Sequence, residues 1–138
     1  MSKSPPAEFP ADLIRPRSGS LFIGDRQPGV SVELIPFTID GEAVEQTLDF
    51  ILEISATDLK DLAGRKFEFP SNPEDGYVEG SIYIWSVHNP IDLHSITFGD
   101  PHDDEVSVTL DMTFVFEFEG ERKNLRTTLS VDLCIERE

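Results

Sequence analysis

Hydrophobic and polar residues alternate with a period of two over much of this chain, most clearly in its last third. Val106, Val108, Leu110, Met112, Phe114, Phe116 and Phe118 share one parity, with Ser107, Thr109, Asp111, Thr113, Glu117 and Glu119 on the other. Leu125, Leu129, Val131, Leu133 and Ile135 repeat the pattern against Arg126, Thr128, Ser130, Asp132 and Glu136. Two such runs predict a long hairpin of half-buried strands. A turn centred on Gly120-Glu121 pairs Phe116 with Leu125, Met112 with Leu129, Leu110 with Val131 and Val108 with Leu133. The two apolar faces then coincide, which a one-residue slip would destroy. Outside the core, Thr113 meets Thr128 and Glu117 lies diagonal to Arg126.

The same reading runs back along the chain. Val30, Val32 and Leu34 predict a strand, and the parity switch past Pro36 to Phe37 and Ile39 predicts a bulge. Asp40-Gly41 suits a tight hairpin turn. Residues 44–56 fit a strand better than a helix, because Phe50 and Ile54 fall off any helical face. A short helix is expected over 58–63, with Thr57 as N-cap and Gly64 as its stop. Phe67 and Phe69 mark a brief strand and PSNPEDG (70–76) a loop. YVEGSIYIWSV (77–87) is a strand with a bend at Gly80, and Asn89-Pro90 turns the chain into a strand over 91–98. GDPHDDE (99–105) reads as a polar loop. About seven strands with one short helix predict an all-β domain, an antiparallel β-sandwich or partly open barrel. Four prolines within residues 1–20 place an extended arm over 1–29 ahead of the body, 30–138, with Phe9, Leu13 and Ile14 able to dock on it.

Charge narrows the function classes. The chain of 138 residues carries 27 acidic and 11 basic groups, a formal net charge of −16. The first 29 residues hold four basic and three acidic groups, so the body alone stands near −17. Such a field repels phosphate backbones and anionic membranes, and it attracts basic protein surfaces. Neither a nucleic-acid nor a membrane partner is therefore expected. Cys134 is the single cysteine, which rules out an internal disulfide, and the N-terminus lacks the apolar run of a signal peptide; a cytoplasmic setting is expected.

No motif names a chemistry. His88, His94 and His102 are spaced six and eight apart, which matches no metal-ligand pattern. Asp100, Asp103, Asp104 and Glu105 crowd one segment without the alternating donors of a calcium loop. Cys134 has no histidine near it in sequence, and Ser18-Gly19-Ser20 lacks a strand-to-helix elbow. No cofactor fingerprint is present. Trp85 and Tyr83 are candidates for an exposed aromatic patch, with Ile82 and Ile84 facing the core. The expected function is non-catalytic docking on a basic protein surface through Asp100, Asp103, Asp104 and Glu105 together with Glu74 and Asp75. In type this is similar to bacterial immunity proteins, which neutralise basic toxins by electrostatic docking, though no motif is shared. Two alternatives are a carrier of small apolar ligands with a pocket lined by Phe114, Phe116 and Phe118, and a metal-dependent enzyme using the histidines and the 100–105 segment.

Overall fold

The computed structural model describes residues 7–24, 27–56, 58–117 and 122–137. These form ten strands: β1 (Pro16–Ile23), β2 (Gly29–Leu34), β3 (Phe37–Ile39), β4 (Glu42–Val44), β5 (Thr47–Ile51), β6 (Lys66–Glu68), β7 (Val78–Ile84), β8 (Val87–His102), β9 (Glu105–Phe114) and β10 (Leu125–Arg137). The fold is all-β, with almost no helix, and its main sheet is a nearly closed barrel. That sheet runs β5-β2-β1-β10-β9-β8, with β7 and β6 both paired along the far edge of β8. The hairpin β3–β4 is a separate two-stranded sheet. Among the described residues no helix is long and apolar enough to cross a membrane.

Three expectations are corrected here. Within the arm expected over 1–29, Pro16–Ile23 is a strand: β1 lies inside the sheet, between β2 and β10. Pro16 is tolerated because it opens the strand, where β1 and β2 shift register. The β1–β10 pairing is parallel, so the sheet is not purely antiparallel. The helix expected over 58–63 is a single 3₁₀ turn, Leu59–Asp61, with Asp58 at the cap position and no side-chain cap bond. Thr57 lies outside the described residues, and Gly64 stops the turn at φ +71° as expected.

The long hairpin forms, with a different register. Leu125 faces Phe114, Leu129 faces Leu110 and Val131 faces Val108, two residues from the expected pairing. A two-residue shift keeps every side chain on its face, so the apolar pattern alone does not exclude it. The shift comes from a longer connection. β9 ends at Phe114, and Glu117 and Asn124 close the mouth reciprocally: each backbone N–H donates to the other's side chain, at 3.0 and 2.9 Å. Arg126 accordingly pairs with Asp111, not Glu117, through two bonds of 3.2 and 2.9 Å.

β8 is longer than the sequence suggested. The turn falls at Trp85-Ser86, whose φ values of 57° and 62° are the left-handed pair of a tight β-hairpin. β8 then continues straight through Asn89-Pro90 to His102. A bulge between Leu93 and Ser95 switches its buried parity, from Ile91 and Leu93 to Ile96 and Phe98. Buried Asn89 holds the hairpin together, its Nδ2 donating to the carbonyls of Ile82, Val87 and Ile84 at 3.1, 3.3 and 3.4 Å. The second turn, expected as a polar loop over 99–105, is equally tight: only Asp103 and Asp104 separate β8 from β9. Asp40-Gly41 closes β3–β4 as expected, with φ 50° and 77°.

The barrel interior is filled by Val30, Val32, Leu48, Phe50, Ile82, Ile91, Leu110, Met112, Leu129 and Leu133, all buried. One end is sealed by aromatic rings. Phe116 stacks on Phe9 at 4.7 Å and on Phe114 at 5.7 Å, with Trp85 edge-on at 5.4 Å. Phe9 brings the N-terminal segment into the core, as its expected docking required. The seam between β5 and β7 carries no ladder. There Gly80 permits close approach, since a Cβ would stand 2.7 Å from the Phe50 ring. Side chains replace the missing ladder bonds: Gln46 accepts from the Tyr83 N–H at 3.1 Å, and the Glu42 carboxylate from the Trp85 N–H at 3.2 Å.

Candidate docking surface

The sites suggested by sequence separate once placed on the barrel. His88 and His94 point outward from one strand six residues apart, a span of about 20 Å at strand rise. His88 packs against the Tyr83 ring at 4.9 Å, and His94 Nε2 bonds Thr113 Oγ1 at 2.7 Å. His102 is exposed beside the Asp103-Asp104 turn. Among the described residues no three histidines, cysteines or carboxylates are grouped to hold a metal ion. Phe114 and Phe116 are wholly buried and packed ring on ring, filling the barrel end. Phe118 lies outside the described residues. Cys134 is exposed on the polar face, as its parity implied. Its thiol is pushed above its ordinary pKa by desolvation and then by the Glu136 carboxylate, so it is a weaker nucleophile than a free cysteine at neutral pH.

The carboxylates tell a different story. Side chains paired across neighbouring strands share a face, so the ladder registers can be read as rows. One row crosses five strands, from Asp49 on β5 through Ser31, Ser20 and Cys134 to Glu105 on β9. The next row runs Ile51, Gly29, Phe22, Glu136. The Asp103-Asp104 turn lies at the end of these rows, where the Asp104 carbonyl accepts the Ile135 N–H at 2.8 Å. At the opposite end a cleft of about 460 Å³ lies between β5 and the start of β7, lined by Asp49, Ile51, Glu53, Asp75, Tyr77 and Glu79. Thus Asp75, in the loop with exposed Glu74, and the Asp103–Glu105 turn flank one wall, β5-β2-β1-β10-β9. Asp100 is exposed near Gly64, on the far side of the β8 irregularity.

Most carboxylates of these two rows and of the cleft have no ion-pair partner among the described residues. Among the described residues the ion pairs are Arg17–Glu33 and Lys60–Asp58, both at 4.0 Å, Arg122–Asp40 at 2.6 Å and Arg126–Asp111 at 2.9 Å. None involves Asp49, Glu53, Asp75, Glu79, Glu105 or Glu136. The two short pairs lie away from these rows. Asp40 is held below its ordinary pKa by the hydrogen bond from Arg122 and then by that from the Trp85 indole. Asp111 is lowered by its bonds from Arg126.

Of the carboxylates singled out in the sequence, Asp75 and Asp103–Glu105 border this wall; Asp49 and Glu136, which lie on it, were not singled out. Asp49 and Glu136 were each an ordinary polar position in an alternating strand, and only the parallel β1–β10 pairing puts them in adjoining rows. Comparison with known proteins found no matching family model, no matching curated protein and no matching solved structure.

Proposed function

We propose that this domain binds a protein presenting a basic surface, docking it on the outer wall β5-β2-β1-β10-β9, with neutralisation of a basic toxin as one instance. The observation that carries the reading is the row arrangement: Asp75 and Asp103–Glu105, far apart in sequence, flank a single face that also carries Asp49 and Glu136. Carboxylates on one face add their fields and steer an oppositely charged partner into encounter, which speeds association more than it slows dissociation. The formal charge of −16 supplies the long-range part of that attraction.

The test begins with recovery of binding proteins from the source cell at low ionic strength and their release at high. Association rates of a released partner are then compared for the wild type and for a variant carrying Asp49→Asn, Glu105→Gln and Glu136→Gln. The reading requires a basic partner and a slower rate for the variant. A partner that binds both proteins at one rate would remove the wall from the function.

A further inference from the structure

The outer wall is polar except in one row. Along β1 the outward residues are Ser18, Ser20 and Phe22; along β5 they are Thr47, Asp49 and Ile51. Polarity breaks at the same row on both strands, and between them β2 contributes Gly29, which is paired with both residues. A Cβ on Gly29 would lie 3.6 Å from Ile51 Cδ1 and 3.8 Å from the Phe22 side chain, so the two close over the glycine from either side. Ile51 is 59% exposed and Phe22 42%. Ile51 also lines the cleft that holds Tyr77, itself 39% exposed. Three of the four large exposed hydrophobic side chains among the described residues therefore adjoin in one patch. An outward strand position accepts serine or threonine at no structural cost, as the neighbouring rows show. The apolar residues in this row need another explanation, and contiguous exposed apolar surface marks a contact site.

We infer that Phe22, Ile51 and Tyr77 anchor the docking surface, and that they receive an apolar side chain of the partner set within a ring of lysine or arginine. This rests on the docking reading above and names the partner's chemistry. Charge selects among the possible occupants. The patch is rimmed by Asp49, Glu53, Asp75 and Glu79 in the cleft and by Glu136 beside Phe22. A second copy of this chain docked by two-fold symmetry would set that rim against itself, with −16 on each side. An anionic lipid surface is repelled by the same charges. A neutral apolar ligand would desolvate the carboxylates and leave them without partners. A basic protein with an apolar centre satisfies both parts: the centre buries surface and the rim is paired, as in interfaces with an apolar core and polar rim.

Two peptides test this by amide titration of the labelled protein. One is a lysine- and arginine-rich peptide with a central tryptophan; the other has serine in its place. The inference predicts that the tryptophan peptide shifts the amides of Phe22, Gly29, Ile51 and Tyr77 and binds about tenfold more tightly than the serine peptide. In Phe22→Ser, or in Ile51→Thr should the first variant fold poorly, the two peptides should bind alike. Equal binding of both peptides to the wild type would overturn the anchor while leaving electrostatic docking in place. Failure of both to bind would remove both readings. Self-association of the wild type that Phe22→Ser abolishes would make the occupant a second copy and overturn the proposal.

Discussion

Phe116→Ala is the sharpest test of the barrel's aromatic end. The side chain is wholly buried, stacked on Phe9 and Phe114 and met edge-on by Trp85. Removing the ring forfeits its transfer energy, about 1.5–3 kcal/mol for a buried phenylalanine. A cavity penalty follows, because the surrounding side chains relax only in part; the total for such truncations is about 3–5 kcal/mol. The upper half of that range applies here, since three aromatic contacts, each contributing about 0.5–1.5 kcal/mol beyond burial, are lost together. A domain of this size has roughly 5–15 kcal/mol in all. Urea unfolding reads the loss directly, with Trp85, the single tryptophan, as its fluorescent probe. Because Phe9 makes the closest stack, Phe9→Ala should cost less in the Phe116→Ala background than alone. A Phe116→Ala protein as stable as wild type, to within about 1 kcal/mol, would refute the packing described here.

Three further outcomes follow from particular residues. Ser86 is exposed at φ 62°, so Ser86→Gly should raise stability by up to about 1 kcal/mol in the same urea assay; a loss would contradict the left-handed turn. Asp40 and Asp111 have folded-state pKa values below the ordinary 3.8, so their ionised forms stabilise the fold above that pH, and the contribution is lost as pH falls through the folded values. Asp40→Asn with Asp111→Asn should therefore flatten the stability loss below about pH 4, measured as urea midpoint against pH, and an unchanged acid limb would count against both pairs. Finally, the melting temperature should rise from low salt to roughly physiological ionic strength, where charges more than about 8 Å apart are screened; a flat response would mean that the wall carries no net repulsion.

Alternation carried most of the fold. It placed β2, the β9–β10 hairpin and the buried face of β7, because period-two burial is a direct consequence of the pleat. What it missed has identifiable causes. Trp85-Ser86 is not a turn dipeptide; bonds to Glu42 and Asp40, distant in sequence, hold the tryptophan in the turn. β1 was hidden by its proline and small residues, since Ser18, Gly19 and Ser20 have almost no apolar pattern. Its place in the sheet comes from Leu21 and Ile23 packing inward and from the parallel ladder to β10. Register within the long hairpin was ambiguous by two residues for the reason that faces repeat every two. Of the proposed docking wall, the sequence singles out only the carboxylates that border it, Asp75 and Asp103–Glu105, where charge is dense in sequence. Its middle depends on rows across strands, and no local window contains a row.

The central claim is that this wall meets a basic partner, and the most direct measurement is the association rate at two ionic strengths. Three proteins suffice: the wild type, the wall variant Asp49→Asn/Glu105→Gln/Glu136→Gln, and a turn variant with Asp103→Ser, Asp104→Asn and Glu105→Gln. All should fold with stability close to wild type, because exposed charges contribute little. The account predicts that both variants associate more slowly at low salt, the wall variant by roughly tenfold, and that their salt dependence flattens while dissociation changes little. Wild-type association that is indifferent to salt, or a wall variant as fast as wild type, would contradict it.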